Sequence, residues 1–319
     1  MTKLTRNEVA AFLQENDHFL ILSHRRPDGD TAGSSAALCR ILRNQGKTAH
    51  ILENPELTER FSWLHQGLTK PEAEEGDILI CVDVASPGML PKAYSHLAQN
   101  IRLRLDHHAS ATSFTELELV DPHAAATGEI IYDISQELWQ DMDSATADAL
   151  YVAVSTDTGC FRYSNTDHHT FLVAAACSKF GARVYELNQQ LFETNTLGRL
   201  KMQAWIVENL RLIREGRMAV VAIPRQVEQD IGVTDDDMDN ISSFPRTIAG
   251  IEAAATLREG ADGEIKLSVR TIPGYDATKV AERFGGGGHT GAAGASVKLP
   301  LEEAAKAVAE VLAEVAEGQ

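Results

Sequence analysis

Two short runs of histidine and aspartate are the residues of this chain most suited to metal chemistry. Residues 24–30 read HRRPDGD and residues 106–108 read DHH, while single aspartates lie at Asp83 and Asp157. Each group lies where an apolar run meets a loop or a helix. Imidazole and carboxylate ligands suit Mn²⁺ or a similar transition metal better than calcium. Two such ions about 3.5–4 Å apart, bridged by a carboxylate, are typical of sites that hydrolyse phosphate esters with an ion-activated hydroxide.

Each of these motifs has a simpler interpretation when it is taken alone. A D-x-D pair such as Asp28 and Asp30 is common in solvated turns, but here it follows His24 at a strand end. Asp83 could be an ordinary turn or cap residue. It closes an almost wholly apolar strand, however, where an ionised carboxylate needs a cation or dense hydrogen bonding. Asp157, between a helical stretch and a glycine, is ambiguous by itself.

A second DHH, at residues 167–169, has a context that predicts a different role. It follows Ser164-Asn165-Thr166 and opens a helical stretch, so that Thr166 or Asp167 is a natural N-cap. We therefore assign this second run to helix capping and solvent. The remaining histidines have no partner spacing and are assigned to surface or core roles; they include His50, His65, His96 and His123.

The first half of the chain alternates strand and helix signals. Such alternation predicts an α/β fold with a doubly wound, mostly parallel sheet, in which functional residues gather beyond the carboxyl ends of the strands. The histidine and aspartate groups follow that rule. Strands are predicted at residues 19–23, 48–52, 78–82 and 101–105, and helices at 32–42, 128–139 and 145–155, after a first helix near Asn7.

The second half predicts a smaller α+β domain. A polar-faced helical stretch at 196–214 is interpreted as a connector. We predict a metal-binding domain at 1–190, a helical connector at 191–214 and a substrate-binding domain at 215–319, with the active-site cleft between the two domains. Beyond the connector, strands are predicted at 218–223, 250–257 and 265–271, helices at 277–284 and 301–316, and a Gly-rich loop between these helices.

Composition excludes several classes of protein. The net charge of −17 argues against a large duplex DNA-binding surface, which would need many Lys and Arg contacts to phosphate. No apolar run approaches the roughly 18–20 residues that span a membrane, and the N-terminus does not resemble a signal peptide. The scattered cysteines indicate reduced, buried thiols and a cytoplasmic protein; they are Cys39, Cys81, Cys160 and Cys177.

Taken in order, these motifs resemble those of the DHH phosphoesterase superfamily. The resemblance covers HRRPDGD, Asp83, the first DHH and DTG at 157–159, and GGGGH at 285–289 resembles its DHH-associated C-terminal domain. Within the superfamily, the chain resembles the compact bacterial oligoribonuclease and 3′-phosphoadenosine-5′-phosphate (PAP) phosphatase group. It lacks the added length of the RecJ-type exonucleases and the membrane and sensory segments of the large cyclic di-AMP phosphodiesterases.

The resemblance implies a role for each matching position. It implies two Mn²⁺ ions, with Mg²⁺ or another divalent cation as alternatives. His108 would contact the scissile phosphate, and Asp106 would orient a histidine. Thr31 stands where the family more often has a small Ala or Cys. One ion would be held by His24, Asp28 and Asp83, and the second by Asp30, Asp83, His107 and Asp157, with Asp83 as the bridge.

In the C-terminal domain, a glycine-rich loop is the expected substrate contact. Its bare backbone can approach phosphate or ribose. Arg270, at the end of a strand, is the favoured second phosphate contact through bidentate geometry, ahead of Arg258 and Arg246. The loop residues concerned are Gly286, Gly287, Gly288 and His289.

The sequence therefore predicts a soluble, two-metal phosphoesterase for very short nucleotide substrates. Candidate substrates are single-stranded oligoribonucleotides (nanoRNA), linear dinucleotides and PAP. A cyclic di-AMP phosphodiesterase is the main alternative, and a non-catalytic nucleotide- or RNA-binding protein is a second one, disfavoured by the complete ligand set. Base preference, direction of cleavage and the choice between monomer and homodimer stay open.

Overall fold

The structure of the protein, a computed structural model, describes residues 1–109, 111–138 and 142–317. The chain divides into two compact units, Met1–Thr194 and Asn195–Gln319. The strands are β1 (Thr2–Lys3), β2 (Phe19–Leu22), β3 (Ala49–Leu52), β4 (Thr69–Lys70), β5 (Ile78–Val82), β6 (Ile101–Asp106), β7 (Leu117–Val120), β8 (Arg211–Ile213), β9 (Met218–Ile223), β10 (Ala253–Glu259), β11 (Ile265–Thr271), β12 (Gly287–His289) and β13 (Ala292–Val297). The helices are α1 (Arg6–Glu15), α2 (Gly29–Asn44), α3 (Glu59–Ser62), α4 (Thr127–Leu138), α5 (Ser144–Asp157), α6 (His168–Lys179), α7 (Val184–Asn188), α8 (Leu197–Asn209), α9 (Arg225–Ile231), α10 (Ala277–Glu282) and α11 (Leu301–Glu317).

The N-terminal unit is built on a parallel sheet. Its strand order in the described residues is β1-β7-β6-β5-β2-β3-β4, and each neighbouring pair is parallel. The central strands are apolar runs because a parallel sheet is buried on both faces. Their alternate side chains enter two separate clusters: Ile21 and Ile80 pack with the helices, whereas Leu20 and Cys81 face the other side. The predicted α/β fold with a mostly parallel sheet is confirmed.

Small residues bring α2 and α5 close together on the helix-covered face. A Cβ added to Gly33 would lie 2.4 Å from the carbonyl oxygen of Ala149, and one added to Gly29 would lie 2.3 Å from the hydroxyl of Thr156. Larger side chains would therefore force the helices apart. The close contact matters for the site, because Asp30 lies near the start of α2 and Asp157 is the last residue of α5.

The C-terminal unit contains a mixed sheet in the order β12-β13-β11-β10-β9-β8. Strands β9 and β10 pair in parallel, and the other neighbours are antiparallel. Helix α11 buries Ala304, Val308 and Leu312 in the core of this unit, while α8 buries Met202 and Ile206 in a second cluster. Helix α8, within the stretch interpreted as a connector, belongs to this unit.

The sequence-based elements differ from the structure in several places. The Gly-rich run was expected as a loop, but Gly287–His289 forms a strand paired with β13. Its glycines lack the side chains that mark a strand, yet they permit close pairing, since a Cβ on Gly286 would lie 2.0 Å from the carbonyl oxygen of Gly294. Strands β1, β4, β7, β8 and β13 and helices α3, α7 and α9 were not predicted. Strand β8 lies within the stretch 196–214, which was wrongly predicted to be helical throughout. The expected end of α4 at Trp139 lies outside the described residues.

Within the described ranges, no helix is both long enough and apolar enough to cross a membrane.

Candidate metal centre

Three adjacent strands of the parallel sheet deliver the histidines and a central aspartate to one edge. His24 follows β2, Asp83 follows β5 directly, and Asp106 ends β6 just before His107 and His108. Because β2, β5 and β6 are parallel neighbours, their carboxyl ends meet at the same edge. The two closely packed helices supply the remaining carboxylates. Asp28 caps α2, Asp30 lies in its first turn, and Asp157 ends α5.

Asp83 lies at the centre of this cluster. Its Oδ2 is 3.6 Å from His24 Nε2, and its Oδ1 is 3.7 Å from His107 Nε2, so the two oxygens face different imidazoles. The hydroxyls of Thr31 and Thr127 donate to Oδ2 and Oδ1 at 2.5 and 3.1 Å. The backbone of Asp83 has φ = +59°, a left-handed conformation that is costly for a non-glycine residue and concentrates at functional sites. The two carboxylate oxygens of Asp83 are therefore held toward different histidines.

The ligand atoms form overlapping groups of the size that a cation needs. Within each group, one atom per residue lies within 4.8 Å of the others. In the group formed by Asp30, His107 and Asp157, the Nε2 atom of His107 lies 3.2 Å from Oδ2 of Asp157. Nitrogen and carboxylate donors in such groups fit a divalent transition metal. Among the described residues, the groups are His24–Asp28–Asp83, Asp30–His107–Asp157 and Asp83–His107–His108.

Asp30 is oriented by the start of α4. Its two oxygens accept hydrogen bonds from the backbone N–H groups of Thr127 and Gly128 at 2.7 and 3.0 Å, and Ser34 donates its hydroxyl to Oδ1 at 2.8 Å. Free N–H groups at a helix N-terminus favour a negative charge. The sequence analysis missed Thr127 and Ser34. The signal for Thr127 was a Thr-Gly pair at the start of a predicted helix.

Two of the histidines are fixed by backbone carbonyls. The Nδ1 atoms of His24 and His107 lie 2.7 and 3.1 Å from the carbonyl oxygens of Arg25 and Ala124. A carbonyl accepts hydrogen bonds only, so each Nδ1 carries a proton and each Nε2 is the ring nitrogen left for contact with a cation. Those Nε2 atoms are the ones that face the carboxylates. Such outer contacts are typical of metal-binding histidines.

His108 has a different partner. Its Nδ1 lies 2.8 Å from Oδ1 of the fully buried Asp106. This hydrogen bond raises the pKa of His108 to about 9, although burial acts in the opposite direction. The predicted orienting role of Asp106 therefore has a partner in His108, whose Nε2 is the nitrogen left for other contacts.

Arg104 is a site-supporting residue that the sequence analysis missed. Arg104, in the strand sequence IRLRL, is 1% exposed and pairs with Glu118 at 2.7 Å. Its guanidinium also donates to the carbonyl oxygens of Ala85 and Thr112, which belong to the loops after β5 and β6. The residue therefore ties the loop that follows Asp83 to the loop that carries the DHH. The detectable signal was a charge inside a run otherwise suited to burial.

The electrostatics of the cluster indicate an excess of carboxylates. Burial and the neighbouring Asp83 and Asp157 hold the pKa of Asp30 well above its usual range, and burial with Asp28 and Asp83 does the same for Asp157. For His24, burial lowers the pKa, but Asp28 and Asp83 outweigh it and raise the pKa to about 11. Protons thus neutralise a charge that divalent cations would neutralise better. The donor set fits a metal centre.

The predicted substrate-binding residues lie in the C-terminal unit. Arg270 is the residue of β11 that pairs with Ala292 of β13, and His289 of β12 pairs with the same alanine from the other side. Directly opposed residues of antiparallel strands share a face of the sheet. The register therefore places Arg270 and His289 on one face with a small residue between them. Gly286 precedes β12, which contains Gly287 and Gly288.

The capping role of the second DHH is confirmed. Asp167 is the N-cap of α6 and accepts from the backbone N–H groups of His169 and Thr170 at 2.8 and 3.1 Å. His168 is exposed, whereas His169 is half-buried with its Nε2 3.0 Å from Asp133 Oδ1. The expectation that both imidazoles face solvent is therefore wrong for His169.

Comparisons with known proteins agree with the fold and the motifs. The DHH family, N-terminal domain, matches residues 18–154, and the DHHA1 domain matches residues 216–317. The chain is 30% identical to the bifunctional oligoribonuclease and PAP phosphatase NrnA of Thermus thermophilus, over 92% of this chain and 89% of that one. It is 27% identical to a probable protein of the same name from Streptococcus mutans, over 90% and 92% of the two chains.

Two further comparisons bear on the fold and on the alternative activity. The cyclic-di-AMP phosphodiesterase PdeA of Listeria monocytogenes is 24% identical over 96% of this chain, which covers 49% of that protein. The crystal structure of an exopolyphosphatase-related protein from Bacteroides fragilis superposes with a TM-score of 0.87 at 21% identity, covering 97% of this chain and 95% of that one. This last likeness establishes the fold.

A parallel α/β unit with histidine and aspartate at its strand ends, followed by a mixed-sheet unit, defines a metal-dependent phosphoesterase. The chain belongs to the DHH family and carries a DHHA1 domain, and it is a hydrolase acting on phosphoester bonds. Within the family, it is similar over most of its length to the NrnA proteins.

Proposed function

We propose that this protein hydrolyses very short oligoribonucleotides, linear dinucleotides and 3′-phosphoadenosine-5′-phosphate with two divalent cations, preferably Mn²⁺. The observation that carries the proposal is the position of Asp83. Its two oxygens face His24 and His107, each of which belongs to a separate group of ligands. A carboxylate shared by two such groups is the feature that a two-metal phosphoesterase requires. The names of the NrnA relatives support the substrate class.

The proposed ligands divide into two sets around Asp83. His24 and Asp28 complete the first, and Asp30, His107 and Asp157 complete the second. When bound, the cations supply positive charge that activates water and neutralises the phosphoryl oxygens. The imidazole Nε2 atoms of His24 and His107 are already directed at the carboxylates, so little rearrangement is needed for binding.

His108 is proposed to contact the phosphate under attack. Its Nδ1 is committed to Asp106, which fixes the ring and favours the charged imidazolium. An imidazolium with one free N–H can donate to an oxygen on which negative charge develops. Asp106 thereby acts through His108 and does not itself touch the substrate.

The C-terminal unit is proposed to bind a phosphate or nucleoside remote from the reacting bond. The shared face of Arg270 and His289, next to the glycines of β12, supports this assignment. A guanidinium can make a bidentate contact to phosphate, and the glycine backbone leaves room for it. Such a contact would favour substrates with a second phosphate over simple phosphodiesters.

A hydrolysis panel tests the proposal. Chelator-treated protein should be supplied with Mn²⁺, Mg²⁺ or Ca²⁺ and assayed on PAP, a linear dinucleotide, a five-residue RNA, a long RNA and cyclic di-AMP. We expect Mn²⁺-dependent turnover of PAP and the short linear substrates, and little turnover of the long RNA. His108→Ala serves as the inactive control.

A cyclic di-AMP phosphodiesterase is the second candidate, because PdeA aligns with 96% of this chain. The same panel separates the two candidates. Faster turnover of cyclic di-AMP than of its linear product would favour this alternative, whereas the reverse order supports the proposal above. Absence of metal-dependent turnover on every substrate would refute both.

A further inference from the structure

A cavity of about 580 Å³ lies in the N-terminal unit. Part of its wall is formed by Glu53 and Asn54, which follow β3, and β3 is the parallel neighbour of β2. The amide of Asn54 donates at 2.9 Å to both the hydroxyl of Ser23 and the carbonyl oxygen of His24. The cavity wall is therefore hydrogen-bonded to the backbone of a candidate metal ligand.

The lining of the cavity suits an uncharged aromatic ring better than a phosphate. Trp63 and Tyr94 contribute aromatic rings, and Glu53 and Gln66 contribute a carboxylate and an amide. The described lining contains no lysine or arginine to bind an anion. Aromatic side chains with hydrogen-bonding neighbours are the usual means by which proteins bind unpaired nucleobases. The volume is in the range of small-ligand pockets.

His65 is a buried residue of this wall. It is 3% exposed, and its Nε2 lies 3.1 Å from the carbonyl oxygen of Ala32 and 2.9 Å from the hydroxyl of Ser35. These contacts tie the wall to helix α2, and the buried ring supports the wall without itself meeting a ligand.

A carboxylate beside aromatic rings favours a ligand that carries N–H donors. Glu53 offers that carboxylate. The exocyclic amines of adenine, guanine and cytosine each present two N–H donors, whereas uracil presents only its single ring N–H. We infer that this cavity binds the amine-bearing base of the nucleotide whose phosphate lies at the metal centre. The inference rests on the proposed function and adds a base preference to it.

Fluorescence of Trp63 tests base binding without catalysis. The metal-loaded protein is titrated with AMP, CMP, UMP and ribose 5-phosphate, and the contribution of Trp63 is isolated by comparison with Trp63→Phe. We expect quenching by AMP and CMP, weaker quenching by UMP, and none by ribose 5-phosphate. Tyr94→Ala should weaken AMP binding by roughly ten- to a hundredfold, the usual loss when a stacking ring is removed. Tyr185→Ala, which removes a tyrosine that is 70% exposed, is the matched control.

Steady-state kinetics test whether the bound base belongs to the substrate. Tyr94→Ala should lower kcat/KM for a diadenosine dinucleotide by a similar factor and leave bis-p-nitrophenyl phosphate unchanged, because that ester has no base. Glu53→Gln removes a charged acceptor and should lower kcat/KM for the adenine substrate roughly tenfold. The ratio of kcat/KM between the adenine substrate and a diuridine substrate should therefore decrease. Glu72→Gln is the matched control, because both carboxylates act on the Tyr94 hydroxyl but Glu72 does not line the cavity.

The outcomes separate this inference from the proposed function. Equal quenching by ribose 5-phosphate and AMP would overturn base recognition. An equal loss by Tyr94→Ala on both kinds of ester would show a structural effect and would also overturn it. Quenching by AMP combined with unchanged dinucleotide kinetics would mean that a free nucleotide, and not the substrate, occupies the cavity. If no nucleotide is hydrolysed, the proposed function fails, while the fluorescence titration still decides whether the cavity binds a base.

Discussion

At the scale of single residues, the candidate site centres on Asp83, which belongs to two of the three ligand groups. Its carboxylate is almost fully buried, and each of its two oxygens accepts a hydrogen bond from a different threonine hydroxyl. Burial acts to raise the pKa of Asp83, but hydrogen bonding and charge from His24 and the other histidines outweigh burial and keep the pKa below its usual range. These contacts favour the ionised carboxylate, which is the form that a cation binds.

Asp83→Asn should disturb both proposed ions at once, because it removes the ligand that the two proposed metal sites share. We expect turnover to fall by roughly a thousandfold or more, corresponding to several kcal/mol of lost charge stabilisation. Asp28→Asn and Asp157→Asn should each retain more bound metal, since each belongs to one group. Metal content and turnover are measured on the same samples. Retention of two metals at near-normal rates in Asp83→Asn would contradict the bridging role.

His107→Ala and His108→Ala should fail in different ways. His107 directs Nε2 at the carboxylates and should lose metal affinity, whereas His108 is tied to Asp106 and should keep metal but lose phosphate turnover. Calorimetric titration with Mn²⁺, combined with hydrolysis rates, distinguishes the two. His168→Ala, on the second DHH, should leave both properties unchanged. Equal loss of metal in both variants would refute this division of roles.

His65 should make the fold less stable in acid. Burial lowers the pKa of His65 to about 4 from an ordinary value of 6.5. As the pH falls below about 6.5, His65 becomes protonated in the unfolded chain but stays neutral in the folded chain until the pH approaches 4. The free energy of unfolding therefore falls by up to ~3 kcal/mol between pH 6.5 and 4 from this group alone. The urea midpoints of the wild type and His65→Gln should converge at low pH. Parallel pH profiles of the two proteins would contradict the lowered pKa of His65.

At the scale of elements, two adjacent strand-end loops are joined by a buried arginine. Arg104 on β6 donates to the carbonyl oxygen of Ala85, in the loop after β5, and to that of Thr112, in the loop after β6. The backbone N–H of Thr112 also donates to the Ala85 carbonyl at 2.9 Å. Glu118, on β7, balances the arginine charge. Adjacent strands thus hold their loops, and the ligands on them, in register.

Arg104→Met should destabilise the N-terminal unit by about 3–5 kcal/mol, because it leaves the carboxylate of Glu118 buried and unpaired. Adding Glu118→Gln should recover part of that loss. Arg102→Met is the matched control on the same strand, since Arg102 and Glu116 form an exposed ion pair worth at most about 1 kcal/mol. Denaturant unfolding measures all four proteins. If Arg104→Met lost no more stability than Arg102→Met, the structural role of Arg104 would be contradicted.

At the scale of the whole molecule, the metal ligands and the contacts to a distal phosphate are assigned to different units. The candidate metal ligands lie in Met1–Thr194, and the candidate distal contacts lie in Asn195–Gln319. Two separately packed units let the substrate-binding surface vary without disturbing the ligand set. This division predicts that substitutions in the C-terminal unit change substrate preference and leave the metal centre intact.

Arg270→Ala should weaken turnover of PAP and linear dinucleotides by roughly ten- to a hundredfold, the value of a lost charged contact to phosphate. Bis-p-nitrophenyl phosphate, without a distal phosphate, should be hydrolysed at the wild-type rate. Arg283→Ala, which breaks an exposed ion pair in the same unit, is the control. An equal loss on all substrates would point to a structural effect, and no loss on any of them would make Arg270 an ordinary surface charge.

Much of the architecture could be predicted from local patterns. Strands β5 and β9 begin and end where their apolar runs do, and β11 spans the alternating pattern of residues 265–271. The ligand motifs could be found because His24, Asp83 and the DHH each adjoin such a run. A polar group at the end of a strand can be recognised from only a few neighbouring residues. Strand β12 could not be found in this way, since its pairing depends on glycines that carry no pattern.

Sequence by itself determined which residue types stand at the strand ends, and hence the class of chemistry available to this protein. Tertiary structure decided which of them meet. The close packing of α2 on α5 determines the approach of Asp30 to Asp157, and the left-handed backbone of Asp83 turns its two oxygens toward different histidines. These contacts join residues tens of positions apart. Distance between such residues is a property of packing, which no local pattern of side chains encodes.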